Sequence, residues 1–372
     1  MLFRSDQGVL WYSQNKFDQS QYNTLALDWN SSFVEGVDSR FGNAITAIGL
    51  LDQSLAIFKE TAIFLLAGDG PNSLLTSGQF NDAVAVVADT GCNNANSLVF
   101  ITQTPNSPGG LLFKSQKGIY LLGRDSSLTY IGAPVNKYNH LTITSASVIA
   151  NKNMVVFTTL EGTCLVYNYF FNAWTTWGGG DNDGDVDLPA IDATVWNNQL
   201  VILTPAGHIM VQDMTGKVFM DSFSATVNYP VQMTITTPWL RFNGAANMQG
   251  YQAIYNCLLL GTLNAPHTLQ VQVAYNYNPS VIETVLIDST LANNRWGGLP
   301  NWGANGVWGS DQFANYQFQI NFKQFRSEAI QLTFTDLDPN PTAAFSLNGL
   351  SFEVMPFPGG VRLPVGNRVG TQ

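Results

Sequence analysis

The sequence predicts an all-β protein, and three observations support that prediction. Short runs of β-branched and aromatic residues recur along the whole chain, bounded by Gly, Asn, Asp and Pro. Helical periodicity is almost absent. Hydrophobic residues make up 45% of the 372 residues but charged residues only 11%, whereas soluble domains usually carry about 25% charged residues. We therefore expect a globular β protein with a surface of Asn, Gln, Ser and Thr.

A hairpin repeat in the first half predicts the architecture there. The segments "LAIFKETAIFLLAGD" and "LLFKSQKGIYLLGRD" share Phe-Lys, a polar turn and Ile-aromatic-Leu-Leu. Two later hairpins keep this outline, so that the anchors Phe58, Phe113, Phe157 and Leu203 lie 55, 44 and 46 residues apart. Such a period, with four strands each, is typical of propeller blades. We predict a kelch-like β-propeller of about five or six blades over residues 1–224; the alternative is a β-sandwich with coincidental spacing.

The second half has a different pattern. Segments such as "VQMTITT", "HTLQVQVAYNY" and "EAIQLTFTD" alternate apolar and polar residues, as half-buried antiparallel strands do. We predict an antiparallel β-sandwich over residues 225–355. Residues 356–372 carry Arg362 and Arg368 but no acidic residue, and we expect them to form an extended C-terminal arm that takes part in an interface.

Charge and cysteine content exclude some classes of protein. The formal net charge is −10, and residues 1–224 account for most of it, with 10 Lys and Arg against 19 Asp and Glu. This acidic excess argues against wrapping nucleic acid, which requires clustered basic residues. The three cysteines, Cys92, Cys164 and Cys257, lie far apart without metal-site spacing, which favours folding in a reducing cytoplasm.

The segment "GGGDNDGDVDLP" is the strongest local charge feature. Asp181, Asp183 and Asp185 alternate with small residues and supply oxygen ligands of the kind that Ca²⁺ prefers. The segment lacks the glycine position and the distal Glu of an EF-hand loop. We prefer a solvated acidic loop and keep these three aspartates as candidate calcium ligands.

Catalytic motifs are missing from the sequence. His140, His208 and His267 are isolated, and neither a nucleophile elbow nor a phosphate-binding or dinucleotide-binding fingerprint is found. We predict that the chain is not an enzyme and needs no cofactor, with Ca²⁺ as the one candidate ligand.

Three tryptophans form a second candidate site. Trp296, Trp302 and Trp308 recur every six residues in "NNRWGGLPNWGANGVWGSD". Tryptophan is frequent among the residues that dominate protein interfaces, and it also stacks on sugars. Anchoring at a subunit interface is our first interpretation; packing of the loop on itself is the second, and sugar binding the third.

The segment "KGIYLLGRDSSLTYIGAPV", followed by the repeat ending "LVYNYFFNAWTTW", resembles the tail nozzle and packaged-DNA stabilisation proteins of short-tailed bacteriophages. The segments "TTPWLRFNGAANMQGYQ", "AIQLTFTDLDPNPTAAFSLNGLSFEV" and "GGVRLP" resemble the same group. The resemblance covers roughly residues 44–364 and rests on packing motifs. It implies a propeller-bearing virion protein that forms a hexameric ring and conducts double-stranded DNA.

Our first functional hypothesis is therefore a structural protein of a phage tail, assembled in the host cytoplasm. Its expected partners are further copies of itself, the portal or adaptor, tail fibres or other tail proteins, and DNA that passes without sequence-specific binding. The alternatives are a carbohydrate-binding receptor module and, third, a propeller glycosidase or lyase. The charges of the segment that carries the resemblance, Lys117 and Arg124, have no counterparts in the other hairpins, whereas Lys114 matches Lys59. We interpret the segment as part of one blade.

Overall fold

A computed structural model of the chain is nearly all β, with 58% strand and 5% helix. This confirms the predicted all-β class. The described residues are 3–6, 8–12, 34–38, 44–68, 70, 78–178, 188–213, 220–224, 227–242, 252–263, 267–288, 297–298, 307–308, 314–324, 326–337 and 345–356. The chain divides into two compact units, Met1–Gln212 and Asp213–Gln372.

The first unit consists of five antiparallel sheets that follow one another along the chain. The first sheet contains β1 (Phe3–Asp6), β2 (Val9–Tyr12) and β3 (Val34–Gly36). The second contains β4 (Ile45–Leu51), β5 (Ser54–Lys59), β6 (Ile63–Leu66) and β7 (Val84–Val87). The third contains β8 (Val99–Ile101), β9 (Gly110–Ser115), β10 (Gly118–Gly123) and β11 (Leu128–Tyr130). The fourth contains β12 (Ile143–Ile149), β13 (Met154–Thr159), β14 (Cys164–Asn168) and β15 (Ala173–Trp177). The fifth contains β16 (Asp192–Trp196), β17 (Gln199–Leu203) and β18 (Ile209–Val211).

Each of these sheets is an open meander, in which neighbours in sequence are neighbours in the sheet. Short turns join most neighbouring strands, so local sequence builds much of each sheet. Longer segments, of 21 and 17 residues, separate β2 from β3 and β6 from β7. Among the described residues, short 3₁₀ helices lie between or beside the strands at Ala95–Ser97, Ala133–Tyr138 and Ala150–Lys152.

The sheets of the first unit pack face to face in chain order. The first and second sheets share an apolar cluster that includes Leu10 and Phe64. The second and third meet at Phe58 and Phe113, whose ring centroids lie 5.0 Å apart. We call the face that packs on the preceding sheet the backward face and the other the forward face. Because the inner sheets are covered on both faces, β9 is buried along its whole length.

The fourth sheet packs on the third through one cluster, and the fifth sheet packs on the fourth. The residues of the cluster include Ile101, Leu112, Ile119, Leu121, Val155, Phe157, Leu165 and Tyr167. The hydroxyls of Ser145 and Ser147 on β12 donate to the carbonyl of Ala193 on β16, each at 3.1 Å. The order of sheets along the chain is therefore also their order in space.

The sequence alignment of the first two hairpins, which placed Phe58 opposite Phe113, is wrong by one residue. In the first hairpin, Lys59 pairs across the turn with Ala62. In the second hairpin the residue at that position is Ser115, which pairs with Gly118, and not Lys114. A shift of one residue exchanges the two faces of a strand. Phe58 accordingly lies on a forward face and Phe113 on a backward face, and the two rings meet between the sheets. The match of Lys59 with Lys114 is wrong for the same reason.

The second unit holds the remaining strands. They are β19 (Met220–Ser224), β20 (Val227–Pro230), β21 (Thr234–Thr236), β22 (Gln252–Leu263), β23 (Thr268–Tyr275), β24 (Glu283–Asp288), β25 (Gly297–Gly298), β26 (Val307–Trp308), β27 (Ala314–Asn321), β28 (Arg326–Ser327), β29 (Ile330–Asp336) and β30 (Phe345–Pro356). The predicted end of the first domain, residue 224, is the last residue of β19.

Two antiparallel sheets of this unit share one core. The front sheet has the order β21-β29-β23-β24, and the back sheet places β27 and β30 on either side of the long strand β22. Their inner faces meet in a cluster that includes Leu259, Ile320, Val271 and Phe334. The alternating burial of β29, buried at every second residue, follows directly from the alternating sequence "IQLTFTD".

Candidate interaction surface

The forward face of the fifth sheet is apolar and open to solvent. Trp196 is 69% exposed, Ile209 71% and Val211 55%, and Leu203 beside them is also exposed. The strand register places these side chains on one face, because Leu203 pairs with Ile209 and Val201 with Val211. The backward face is covered by the fourth sheet and buries Leu200 and Ile202.

The outer edge of the same sheet is open as well. Within the described residues β18 pairs with β17 alone, so the fifth sheet has three strands where the second, third and fourth have four. The amide of Gln212 donates to Leu200 and that of Thr204 to His208. Backbone groups of an antiparallel strand alternate in direction. Ile209 and Val211 therefore point their N–H and C=O groups away from β17, toward the open edge.

The charged residues of the segment "KGIYLLGRD" connect two sheets. The Lys117 ammonium contacts Asp89, which follows β7, at 3.3 Å. The guanidinium of Arg124 contacts Asp52, in the turn between β4 and β5, at 3.1 Å. Asp125 accepts hydrogen bonds from the hydroxyl and amide of Ser127, and these bonds lower the pKa of its carboxyl. All three side chains thus have structural partners, in agreement with an interpretation of the segment as a packing unit.

Two buried lysines bind backbone carbonyls. The Lys59 ammonium, fully buried, donates to the carbonyls of Val37 and Asp38. The buried Lys114 ammonium donates to the carbonyl of Leu141. Burial lowers the pKa of both amines, because removal from water disfavours the charged form. Each lysine ties its sheet to a chain segment that leads out of or into a neighbouring sheet.

The outer faces of the second unit are rich in uncharged polar side chains. On the front sheet, the register gathers Thr and Gln from four strands, and the Thr236 and Thr333 hydroxyls lie 3.1 Å apart. Members of this face include Thr234, Thr236, Thr268, Gln270, Gln272, Thr284, Leu286, Gln331, Thr333 and Thr335. These side chains are uncharged, so the part of the face that they form can lose water at a lower free-energy cost than a charged surface.

Buried ionisable pairs in this unit fix its strands. The His267 Nδ1 atom lies 2.7 Å from the Asp336 Oδ2 atom, and both side chains are buried. The Tyr275 hydroxyl donates to Glu283 at 3.0 Å. Burial, followed by the nearby Glu283 carboxylate, raises the pKa of Tyr275. Burial also raises the pKa of the Cys257 thiol to about 12, so this cysteine is not a nucleophile at neutral pH.

Most residues that the sequence singled out lie outside the described residues. This applies to Asp181, Asp183 and Asp185, to Trp296 and Trp302, and to Arg362 and Arg368. Trp308 ends β26, and only its backbone is described. The candidate calcium site and the site of the three tryptophans therefore stay predictions.

Metal sites and membrane spans were sought in the described residues. No group of three or more His, Cys, Asp or Glu side chains there is arranged to hold a metal ion. Among the described helices, none has the length and apolar character needed to cross a membrane.

Comparison with known proteins gives no assignment. No protein family matches the chain, and no curated protein matches its sequence.

The sequence interpretation missed the forward face of the fifth sheet. One signal was present: the third hairpin repeat continues into the ending "YNYFFNAWTTW", which supplies β15, whereas nothing similar follows "HIMVQD" in the fourth. A repeat that lacks its last strand leaves an open edge. The exposed Ile209 and Val211 lie in that incomplete repeat.

Proposed function

We propose that this chain is a structural protein of a phage tail, which assembles into a hexameric nozzle ring and retains and conducts packaged DNA. One observation carries the proposal: a serial stack of β-meanders ends on an exposed apolar face with an open strand edge. Monomeric soluble proteins rarely leave such a surface uncovered. The hexameric state and the place in the tail rest on the resemblance to nozzle proteins.

The same stack supports a propeller for the first unit. Consecutive four-stranded meanders, each packed on the preceding one and buried on both faces, are the local structure of propeller blades. In this proposal each of the five sheets is one blade. Whether one chain closes the ring of blades, or a further blade completes it, is a separate question from the stacking.

Charge agrees with a conducting role. Residues 1–224 carry 19 acidic against 10 basic side chains, and carboxylates that face a channel would repel phosphates and keep DNA mobile. The uncharged Thr and Gln face of the second unit suits contact with neighbouring subunits, because its desolvation costs little. No catalytic step is part of the proposal.

Negative-stain microscopy and light scattering of the purified chain test the proposal. We expect ring-shaped particles with six-fold symmetry, formed by the chain alone or after addition of the portal or adaptor. A protein that stays monomeric at all concentrations, with and without those partners, would contradict it.

Carbohydrate binding is the second candidate function. The front face of the second unit favours it, because closely spaced hydroxyl and amide groups such as Thr236 and Thr333 can hydrogen-bond to sugar hydroxyls. Glycan-array binding that is lost in Thr333→Val would support this candidate, while the absence of binding to any glycan would exclude it.

A further inference from the structure

Within the part of the chain that the structure describes, one edge of β18 has no partner strand, and the sequence contains a segment complementary to that edge. We propose that β18 of one copy binds residues 357–372 of a second copy, which add to the fifth sheet as its fourth strand. The inference deepens the proposed function, on which it rests, because it names the contact that joins neighbouring subunits of the ring.

The acceptor strand, β18, offers both backbone hydrogen-bonding groups and apolar surface to an added strand. The backbone groups of Ile209 and Val211 point to the open edge, and their side chains lie on the exposed forward face. An added strand would satisfy the backbone groups and cover part of the apolar face. This is the mode of recognition by β-strand addition, in which main-chain bonds supply affinity and alternate side chains supply specificity.

The donor segment, residues 357–372, contains a sequence with the period of a strand. In "VRLPV", Val361, Leu363 and Val365 alternate with Arg362 and Pro364, so the three apolar side chains lie on one face of an extended segment. Five residues match a typical strand length of about five or six.

The position of Pro364 agrees with strand addition at an edge. Directly paired residues of adjacent strands share a sheet face, so Val361, Leu363 and Val365 would lie beside Ile209 and Val211 when their backbone groups face β18. The intervening Pro364 then faces away from β18, where its missing N–H group costs no hydrogen bond. The opposite register would place Pro364 toward β18 and lose a bond.

Charge favours the same pairing. The donor carries Arg362 and Arg368 without an acidic residue. The acceptor belongs to the acidic half of the chain, in which residues 1–224 carry 19 acidic against 10 basic side chains. The two surfaces are unlike, as a heterologous contact around a closed ring requires.

Disulfide trapping tests the contact in the full-length chain. One preparation carries Ile209→Cys and the other carries Val361→Cys, Leu363→Cys or Val365→Cys. Directly paired residues have Cα atoms about 5.5 Å apart, which suits a disulfide. Because the three native cysteines are buried, the new thiols are the accessible ones.

We expect at least one of these mixtures to give a disulfide-linked dimer on a non-reducing gel, at several-fold higher yield than two matched controls. The first control pairs Val84→Cys with the same donors, since Val84 is 61% exposed on the outer strand β7 of a complete four-stranded sheet. The second pairs Ile209→Cys with Arg362→Cys, whose side chain would lie on the opposite face. Equal yields from all pairs, or no dimer, would overturn the inference.

A single chain that carries Ile209→Cys together with one of the three donor cysteines shows whether the added strand comes from the same copy or from a second copy. When diluted, it should form linked oligomers whose yield falls with concentration; a linked monomer of unchanged yield would overturn the second copy as the donor. Ile209→Glu should weaken self-association at least tenfold in light scattering, and Val84→Glu should not. Rings that form without any trapped contact would refute this inference and leave the proposed function intact. Trapped dimers of a chain that never enters virions would refute the proposed function alone.

Discussion

Phe58 and Phe113 should be energetically coupled, because their rings meet between the second and third sheets at a centroid distance of 5.0 Å. Both side chains are fully buried. Aromatic pairs of this kind contribute about 0.5–1.5 kcal/mol beyond the area that they bury. We expect a double-mutant cycle of Phe58→Leu and Phe113→Leu to show a coupling free energy of about 1 kcal/mol. Leucine keeps the core apolar, so each single variant should fold.

Urea unfolding followed by tryptophan fluorescence measures the cycle. With an m-value of about 2 kcal/mol per molar urea, the coupling corresponds to roughly 0.5 M urea. This is the expected difference between the midpoint shift of the double variant and the sum of the midpoint shifts of the two single variants. The control pairs Phe58→Leu with Phe157→Leu, whose rings lie in different clusters and should act additively within about 0.5 kcal/mol. Additive behaviour of Phe58 and Phe113 would refute the face-to-face packing of the two sheets.

Three further predictions follow from single contacts. Burial lowers the pKa of Lys59 from its ordinary value of 10.5. Between the folded pKa and 10.5 the unfolded chain therefore binds more protons, and wild-type stability should rise with pH through that window. Lys59→Met should flatten this rise in pH-dependent urea titrations, and an unchanged profile would contradict the assignment. Trp174→Phe removes a 2.9 Å hydrogen bond to a carbonyl that follows β11 and should lower the free energy of unfolding by about 1 kcal/mol, measured by thermal unfolding. The control Trp196→Phe, on the exposed face, should leave it almost unchanged. Equal losses in the two variants would argue against this bond. Gly110→Ala should lose several times more stability than Gly207→Ala. Both glycines have positive φ, but a Cβ at Gly110 would lie 2.0 Å from the Leu122 carbonyl oxygen, whereas a Cβ at Gly207 would meet open space. Similar melting temperatures of the two variants would contradict the packing at β9.

The alternation of side chains made the second unit predictable from its sequence. In "IQLTFTD" the apolar residues Ile330, Leu332 and Phe334 alternate with polar ones, and β29 buries these three because one face of the front sheet covers the core. The hairpins of the first unit were equally predictable as hairpins, since short turns between apolar runs act locally.

The faces of those hairpins were not predictable from the matched letters. The motif Phe-Lys occurs in both β5 and β9, but four residues separate it from the following Ile-aromatic-Leu-Leu after β9 and only three after β5. That difference reverses the direction of Phe58 relative to Phe113, and only tertiary packing selects which face meets which sheet. The open edge of β18 was missed because its one signal in the sequence is a repeat ending that does not follow "HIMVQD", which is harder to notice than a motif that is present.

Mass spectrometry of virions purified from the source of this sequence tests the proposed role in a phage tail most directly. The account predicts that the chain is present in intact particles at a constant ratio to the portal protein, and that antibodies against it label the tail below the portal in electron micrographs. A chain that is abundant in infected cells but absent from purified virions would contradict the account.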